Sequence, residues 1–253
     1  SFMGTALNIP DQNNNIFVGR NFDWVNGPKT LLFTQPRDGY RSFSMVDLGT
    51  LEDLSDFSID QASIADYEIL PYNPFDGVNE KGLAAAVLVC PGMDPPFDSN
   101  KKSLVSLEFI RLALDYAATI DEAIMLWRQY NMIFAPGPVC HFMLADATGE
   151  AVVVEWIDGA METLYNSSSW HLVTNFRLSN ATQTDKDFCW RYTLAEDMIT
   201  QKSGQMSSDQ VLNVLDAVSQ MTTKWSNIYD LTRGTLSIII EREFENDPYQ
   251  FSF

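Results

Sequence analysis

Segments of strand character and segments of helix character come in blocks along this chain, not in one-by-one alternation. FMGTALN and IFVGRNFDW, separated by the polar PDQNNN, read as a hairpin, and KTLLFTQ and RSFSMVDL as two more strands. Residues 51–80 look loop-rich, and AAAVLVC, bounded by Gly82 and Pro91, reads as a buried strand. After the loop PGMDPPFDSN, apolar residues at Leu104, Leu107, Ile110 and Leu114 recur at helical spacing, with Ser103 as the expected N-cap. A second helix is expected over about 120–130, with Asp121 and Glu122 in its first turn. VCHFMLADA, EAVVVEWI, METLYN and WHLVTNF return to strand patterning, the first two joined at Thr148-Gly149. Two helices follow, over about 185–202 and 208–220, and WSNIYDLTRG with TLSIIIERE closes the chain as a hairpin. Strands, helix pair, strands, helix pair, strands: this order predicts an α+β class fold in which two antiparallel sheets lie between helical layers. No repeat, low-complexity tract or linker interrupts it, so a single domain over residues 1–253 is expected.

Composition limits the function classes. At 253 residues and 45% hydrophobic, the chain can bury a sizeable core. A net charge of −18 argues against nucleic acid and anionic lipid as partners, because phosphates need Lys and Arg. Cys90, Cys140 and Cys189 are odd in number, lack a CxxC pair and sit among apolar residues, so buried free thiols are expected. His141 and His171 are the only histidines, and neither lies in a nucleophile motif; zinc ligands are scarce. No run of about 20 apolar residues occurs, so no membrane span is expected. The start SFMGTAL has no basic leader region, so any leader is expected to have been removed. The cytoplasm is the expected compartment, with secreted or periplasmic locations open. Asn166 and Asn180 begin N-x-S/T sequons that matter only in a glycosylating secretory route.

Several polar residues stand in or beside apolar strands: Arg20, Asn21 and Asp23, then Asn79, then Asn175. Taken singly each has a structural explanation. Arg20 and Asp23 suit a salt bridge, Asn79 and Asn175 suit turns or strand caps, and Arg191 suits a solvated helix face. Taken together, GRNFDW, DGVNEKGLAAAV, FMLADATGEAVVVEW, LVTNF and WSNIYDL resemble the successive motifs of the penicillin V acylase and bile salt hydrolase family. WSNIYDL is closest to the broader group of linear amide C–N hydrolases, which includes N-acylethanolamine amidases and penicillin-biosynthetic acyltransferases. The resemblance runs from residue 1 to about 240.

That resemblance implies a four-layer αββα sandwich of the N-terminal-nucleophile (Ntn) hydrolases. It implies attack on an N-acyl amide by residue 1, with the residue's own α-amine as base. The family's residue 1 is cysteine; here it is Ser1. Arg20 matches the arginine beside the nucleophile, and Asp23 the aspartate that orients it. Asn175 matches a side-chain oxyanion donor, and Asn79 the position of a backbone donor. Arg191 matches a further family arginine. No metal or organic cofactor is implied. The expected partner is a small-molecule N-acyl amide with an apolar acyl group, and a homo-oligomer stays open. Three accounts of Ser1 remain: a native serine nucleophile, an inactivating replacement of the family cysteine, or a trimmed start. An acyltransferase using the same site and a non-catalytic binding protein on this fold are the alternatives to hydrolysis.

Overall fold

The computed structural model describes residues 3–25, 27–54 and 56–253; Ser1 lies outside the described residues. Strands β1 (Met3–Pro10) and β2 (Ile16–Asp23) form the first hairpin, paired from Met3–Asp23 to Pro10–Ile16. The Asp11 carboxylate closes its tip by accepting the Asn13 and Asn15 N–H groups at 2.8 and 2.9 Å. A second antiparallel pair follows, β3 (Lys29–Thr34) and β4 (Ser42–Asp47). The stretch expected as loop holds α1 (Leu48–Leu54), a 3₁₀ helix over Ile64–Tyr72 and β5 (Asp76–Asn79), which turns into β6 (Ala84–Val89).

Ser103 is not the cap of the next helix. Ser103–Val105 is a short strand, β7, and α2 runs Ser106–Tyr116. The N-cap position is Val105, and the Glu108 carboxylate reaches back to accept its N–H at 2.9 Å. Helix α3 (Ile120–Trp127) begins as expected, capped by Thr119, and β8 (Asn131–Ile133) then pairs in parallel with β7. Next come β9 (Cys140–Ala145), β10 (Ala151–Ile157), β11 (Ala160–Tyr165) and β12 (His171–Val173). The helix expected near 185–202 is two helices, α4 (Gln183–Phe188) and α5 (Trp190–Gln201), because Cys189 is extended at φ −99° and ψ 97°. The chain ends with α6 (Ser208–Ala217), the hairpin β13 (Thr223–Asp230) and β14 (Thr235–Ile240), and an edge strand β15 (Tyr249–Ser252).

Among the described residues, six strands form one sheet in the order β12-β1-β2-β13-β14-β15. Seven form the other, β11-β10-β9-β6-β5-β4-β3, and the neighbours in both sheets are antiparallel. Strand alternation sends one side chain set between the sheets and the other under a helix layer. Ala6, Leu88, Met143, Val153 and Val173 meet between the sheets. Phe109, Leu114 and Trp127 of α2 and α3 cover Phe142, Leu144 and Val152 of the seven-stranded sheet. Tyr192, Ile199, Val211 and Leu215 of α5 and α6 cover Leu7, Phe17 and Ile228 of the other. The expected α+β arrangement is therefore what this chain forms. Gly19 fits α6 against β2, since a Cβ there would lie 2.8 Å from Val211 Cγ1.

Candidate active site

Gly4, on β1, is the crossing point of the site. Its N–H donates to Asn175 Oδ1 at 2.7 Å, and its carbonyl accepts Arg191 Nη1 at 2.5 Å. A Cβ at Gly4 would lie 2.9 Å from Arg20 Nη1, so glycine leaves the room the guanidinium needs. Three of the residues singled out in the sequence, from strand β2, the segment after β12, and helix α5, thus meet on the first described strand.

Arg20 is 1% exposed. Its Nη2 donates to the Val87 carbonyl at 2.6 Å, its Nε to Asp76 Oδ2 at 3.3 Å, and its Cζ lies 5.3 Å from the centroid of the Phe22 ring. Nη1 has no hydrogen-bond partner among the described residues. Asp76 is a member of the site that sequence reasoning missed. It also accepts Trp225 Nε1 at 2.8 Å, Asn227 Nδ2 at 2.9 Å and the Tyr229 hydroxyl, so it ties Arg20 and β13 to the opposite sheet. Burial, reinforced by the Asp76 carboxylate, pushes the Tyr229 phenol well above its ordinary pKa and keeps it a donor.

Asp23 sits at the end of β2, in the cavity wall. Thr223 Oγ1 donates to Oδ1 at 2.5 Å and Gln220 Nε2 to Oδ2 at 2.7 Å. Burial raises its carboxyl above the usual aspartate range; these hydrogen bonds and the charges of Arg191 and Arg20 work in the opposite sense. Gln220 lies in the connection from α6 to β13 and Thr223 opens β13, where nothing in the sequence marked them.

Asn175 is fixed through both ends of its amide. Oδ1 accepts Gly4 N–H and, at 2.9 Å, Arg191 Nη2; Nδ2 donates to the Val89 carbonyl at 2.7 Å. Arg191 reaches it from the first turn of α5, and also donates to Thr5 Oγ1 at 3.1 Å. The break at Cys189 re-aims this turn of helix towards β1.

The structure does not bring Asn79 into this cluster. Its N–H donates to the Leu83 carbonyl at 2.9 Å, inside the turn from β5 to β6. Its side chain binds the Leu114 and Ala117 carbonyls at 3.0 and 2.7 Å and accepts the Lys81 and Leu83 N–H groups, each at 3.1 Å. Asn79 closes a turn against the end of α2, and its N–H is already spent.

The cluster borders a cavity of about 490 Å³, mouth included. Met3, Arg20 and Asp23 line it beside apolar walls from Phe22, Phe75 and Leu107. Cys140 also lines it, but burial pushes its thiol up to about 12, so it is a poor nucleophile at neutral pH. The cysteines Cys90 and Cys140 are buried as expected, while Cys189 is only half-buried.

One further polar cluster escaped the sequence reading. The ligating atoms of Cys90, His141 and Glu155 lie within 4.8 Å of one another. Both imidazole nitrogens and both Glu155 oxygens are already in hydrogen bonds, which leaves these groups engaged with protein and not presented to a metal ion. No helix among the described residues is long and apolar enough to cross a membrane.

Two antiparallel sheets between helical layers place the chain with the Ntn hydrolases in fold. The chain belongs to the linear amide C-N hydrolases, choloylglycine hydrolase family, whose pattern matches residues 4–180. The penicillin V acylase of Pectobacterium atrosepticum is 30% identical over 169 residues, which are 62% of this chain and 44% of that protein. The match thus spans less than half of that relative. A conjugated bile acid hydrolase from Clostridium perfringens, in a cysteine-to-alanine variant, superposes with a TM-score of 0.71 at 17% identity, covering 99% of this chain and 92% of that one. Penicillin V acylase from Agrobacterium tumefaciens gives a TM-score of 0.67 at 16% identity, over 98% and 86% of the two chains. The Caenorhabditis elegans ortholog of N-acylethanolamine-hydrolyzing acid amidase gives 0.61 at 12% identity, over 98% and 99%.

Proposed function

We propose that this chain cleaves N-acyl amides with an apolar acyl group, through an acyl-enzyme formed on Ser1 Oγ once the Ser1 α-amine is free. The observation that carries the reading is the meeting of Arg20, Asn175 and Arg191 around Gly4, with Asp23 in the wall of the adjoining apolar cavity. Family membership supports the reaction class, hydrolysis of linear amide C–N bonds.

In this reading the α-amine, with an ordinary pKa of about 7.7–8.0, takes the Ser1 hydroxyl proton as Oγ attacks the carbonyl carbon. The guanidinium of Arg20 disfavours a second positive charge nearby and so favours the neutral amine. Asp23 accepts hydrogen bonds that orient the attacking group. The tetrahedral oxyanion is met by the second N–H of Asn175 Nδ2, the first being used on Val89. A backbone donor in place of Asn79 is the Val89 N–H. Alternation along β6 turns it to the side on which Val87 N–H meets the Phe75 carbonyl, and β5 begins only at Asp76. Collapse of the intermediate breaks the C–N bond, and the leaving amine takes the proton from the α-ammonium. Water then attacks the ester, releasing the acid and restoring Ser1. The apolar walls of the cavity suit an apolar acyl chain, whose burial is worth about 0.8 kcal/mol per methylene.

Serine is a weaker nucleophile than the family's cysteine, so Ser1 holds this protein at low turnover. The test is a panel of N-acyl amides offered to the protein and to its Ser1→Cys variant, with the free N-terminus verified by mass spectrometry. A rise of about a hundredfold or more in release of acid and amine on Ser1→Cys is expected. If neither form cleaves any N-acyl amide, the reading fails. An added amine acceptor that captures the acyl group would redirect it to acyl transfer.

A further inference from the structure

We propose that His141 and Glu155 are a positioning pair, a buried imidazolium–carboxylate dyad that sets the place of Asn175 from behind. The inference rests on the amidase reading for its kinetic consequence and on geometry alone for its structural one.

The two residues come from adjacent strands. β9 and β10 pair from Ala145–Ala151 to Phe142–Val154, and one step further His141 and Glu155 are cross-strand neighbours on the face of Met143 and Val153. That face looks at the other sheet. There the ring meets the segment after β12 that carries Asn175: His141 Nε2 donates to the Thr174 carbonyl at 2.8 Å. On the other side His141 Nδ1 meets Glu155 Oε1 at 3.0 Å. Glu155 then accepts the Leu178 N–H on Oε1 at 2.8 Å and the Ser179 N–H on Oε2 at 2.9 Å. One dyad therefore holds the chain immediately before Asn175 and again three and four residues after it. The segment between β12 and α4 has no strand partner to do this.

The dyad is 0% exposed at both side chains. A carbonyl on one ring nitrogen and a carboxylate on the other call for two N–H donors, which is the imidazolium. Burial alone would favour the neutral ring, but hydrogen bonds to the Cys90 and Glu155 side chains outweigh it and hold the His141 pKa at about 9. Burying an ion pair costs desolvation and is a poor way to gain stability. What this one does is supply three hydrogen bonds to the backbone of a loop whose Asn175 must be placed to a fraction of an ångström for transition-state donation. None of Cys90, His141 and Glu155 lines the active-site cavity, so none touches substrate.

The test is a double-mutant cycle between Glu155→Gln and Asn175→Ala, run in whichever of the native and Ser1→Cys proteins turns over. Glu155→Gln is expected to lower kcat at least about tenfold with KM within about threefold. In the Asn175→Ala background the same change is expected to cost less than about threefold, because no donor remains to be misplaced. An equal loss in both backgrounds, or no loss in the first, overturns the proposal while leaving the amidase reading intact. If no form turns over, the amidase reading fails by itself, and the Asn175 side-chain amide resonances decide the structural half. They are assigned by their disappearance in Asn175→Ala. A displaced pair in Glu155→Gln supports positioning, and an unmoved pair overturns it. Should Glu155→Gln not fold, His141→Gln, which keeps a donor for the Thr174 carbonyl but carries no charge, takes its place in both arms.

Discussion

Arg191 Nη2 donates to Asn175 Oδ1 at 2.9 Å, and this contact decides which way the Asn175 amide faces. With the Gly4 N–H as a second donor to the same oxygen, the Nδ2 group has to point the other way, to the Val89 carbonyl and the space beside it. A helix residue thus orients a loop residue for donation, while its other terminal nitrogen grips the Gly4 carbonyl at 2.5 Å.

Arg191→Lys tests this coupling. A lysine ammonium is a single point and cannot bridge the Gly4 carbonyl and Asn175 Oδ1 as the planar fork does. The expected outcome in the active form is a fall in kcat of about tenfold or more, smaller than the 10²–10³ that removal of an oxyanion donor costs elsewhere. KM should change little. Steady-state kinetics check it, and a rise in KM with kcat intact would place Arg191 in ground-state binding instead.

Asp23→Asn separates stability from function. Burial raises the Asp23 carboxyl above its ordinary range, so the folded protein holds a proton there more readily than the unfolded chain. The sign follows directly: the ionised form costs stability above the raised pKa, and this cost is relieved as pH falls through it. The amide variant carries no such cost. Its Tm should exceed the parent's at neutral pH, and the gap should close in acid, while amidase activity is lost. Thermal melts across pH check it. A parent that melts higher at neutral pH would show Asp23 to be a net stabiliser.

Gln220→Leu removes one donor to the Asp23 carboxylate and leaves Thr223. A hydrogen bond to the charged form lowers a carboxyl pKa, so its loss raises it. The acid limb of kcat/KM should move to higher pH, with kcat at the alkaline plateau less affected. An unchanged limb would mean that Asp23 does not govern it.

What could be read from the chain beforehand follows a physical divide. Arg20, Asp23, Asn175 and Arg191 are charged or amide side chains set in strand or helix patterns, and such residues stand out against apolar neighbours. Asp76 also stands in the quoted DGVNEKGL motif, but its role depends on Trp225, Asn227 and Tyr229, about 150 positions away. Pairings across two sheets leave no local trace. The Val89 N–H is a backbone group, and no side chain advertises it. Asn79 was misplaced for a related reason: a turn asparagine and an oxyanion position look alike until the partner of the N–H is known. Of the elements, the long apolar strands and amphipathic helices were legible. Short β7, β8 and β15 were not, because three or four residues carry too little periodicity to separate strand from loop.

Asn79→Ala follows from that correction. It strands the Lys81 and Leu83 N–H groups and the Leu114 and Ala117 carbonyls, in a residue that is 1% exposed. Each buried group left without a partner costs about 1–3 kcal/mol. The variant should lose several kcal/mol in urea unfolding, yet the fraction that stays folded should keep kcat within about threefold of the parent. A loss like that of an oxyanion donor in well-folded protein would return Asn79 to the site.

The His141–Glu155 pair also makes a prediction on stability with pH. His141 is held at about 9 in the fold, against about 6.5 for a free ring. Its contribution is therefore full below about 6.5 and is lost as pH rises through about 9. Glu155 runs the other way. Burial would raise its carboxyl, but the His141 hydrogen bond, the Ser179 and Leu178 contacts and the ring's charge lower it to about 2 from 4.5. Its contribution is full above 4.5 and is lost as pH falls towards about 2. The two overlap completely only between about 4.5 and 6.5. The difference in unfolding free energy between the parent and His141→Gln should therefore be greatest in that window and shrink on both sides of it. Urea unfolding at a series of pH values, with the His141 ring followed by nitrogen NMR, measures both halves at once. A difference that stays flat to alkaline pH, or a ring that titrates near its ordinary value, would mean that the buried histidine is neutral and that the loop carrying Asn175 is held without the charge.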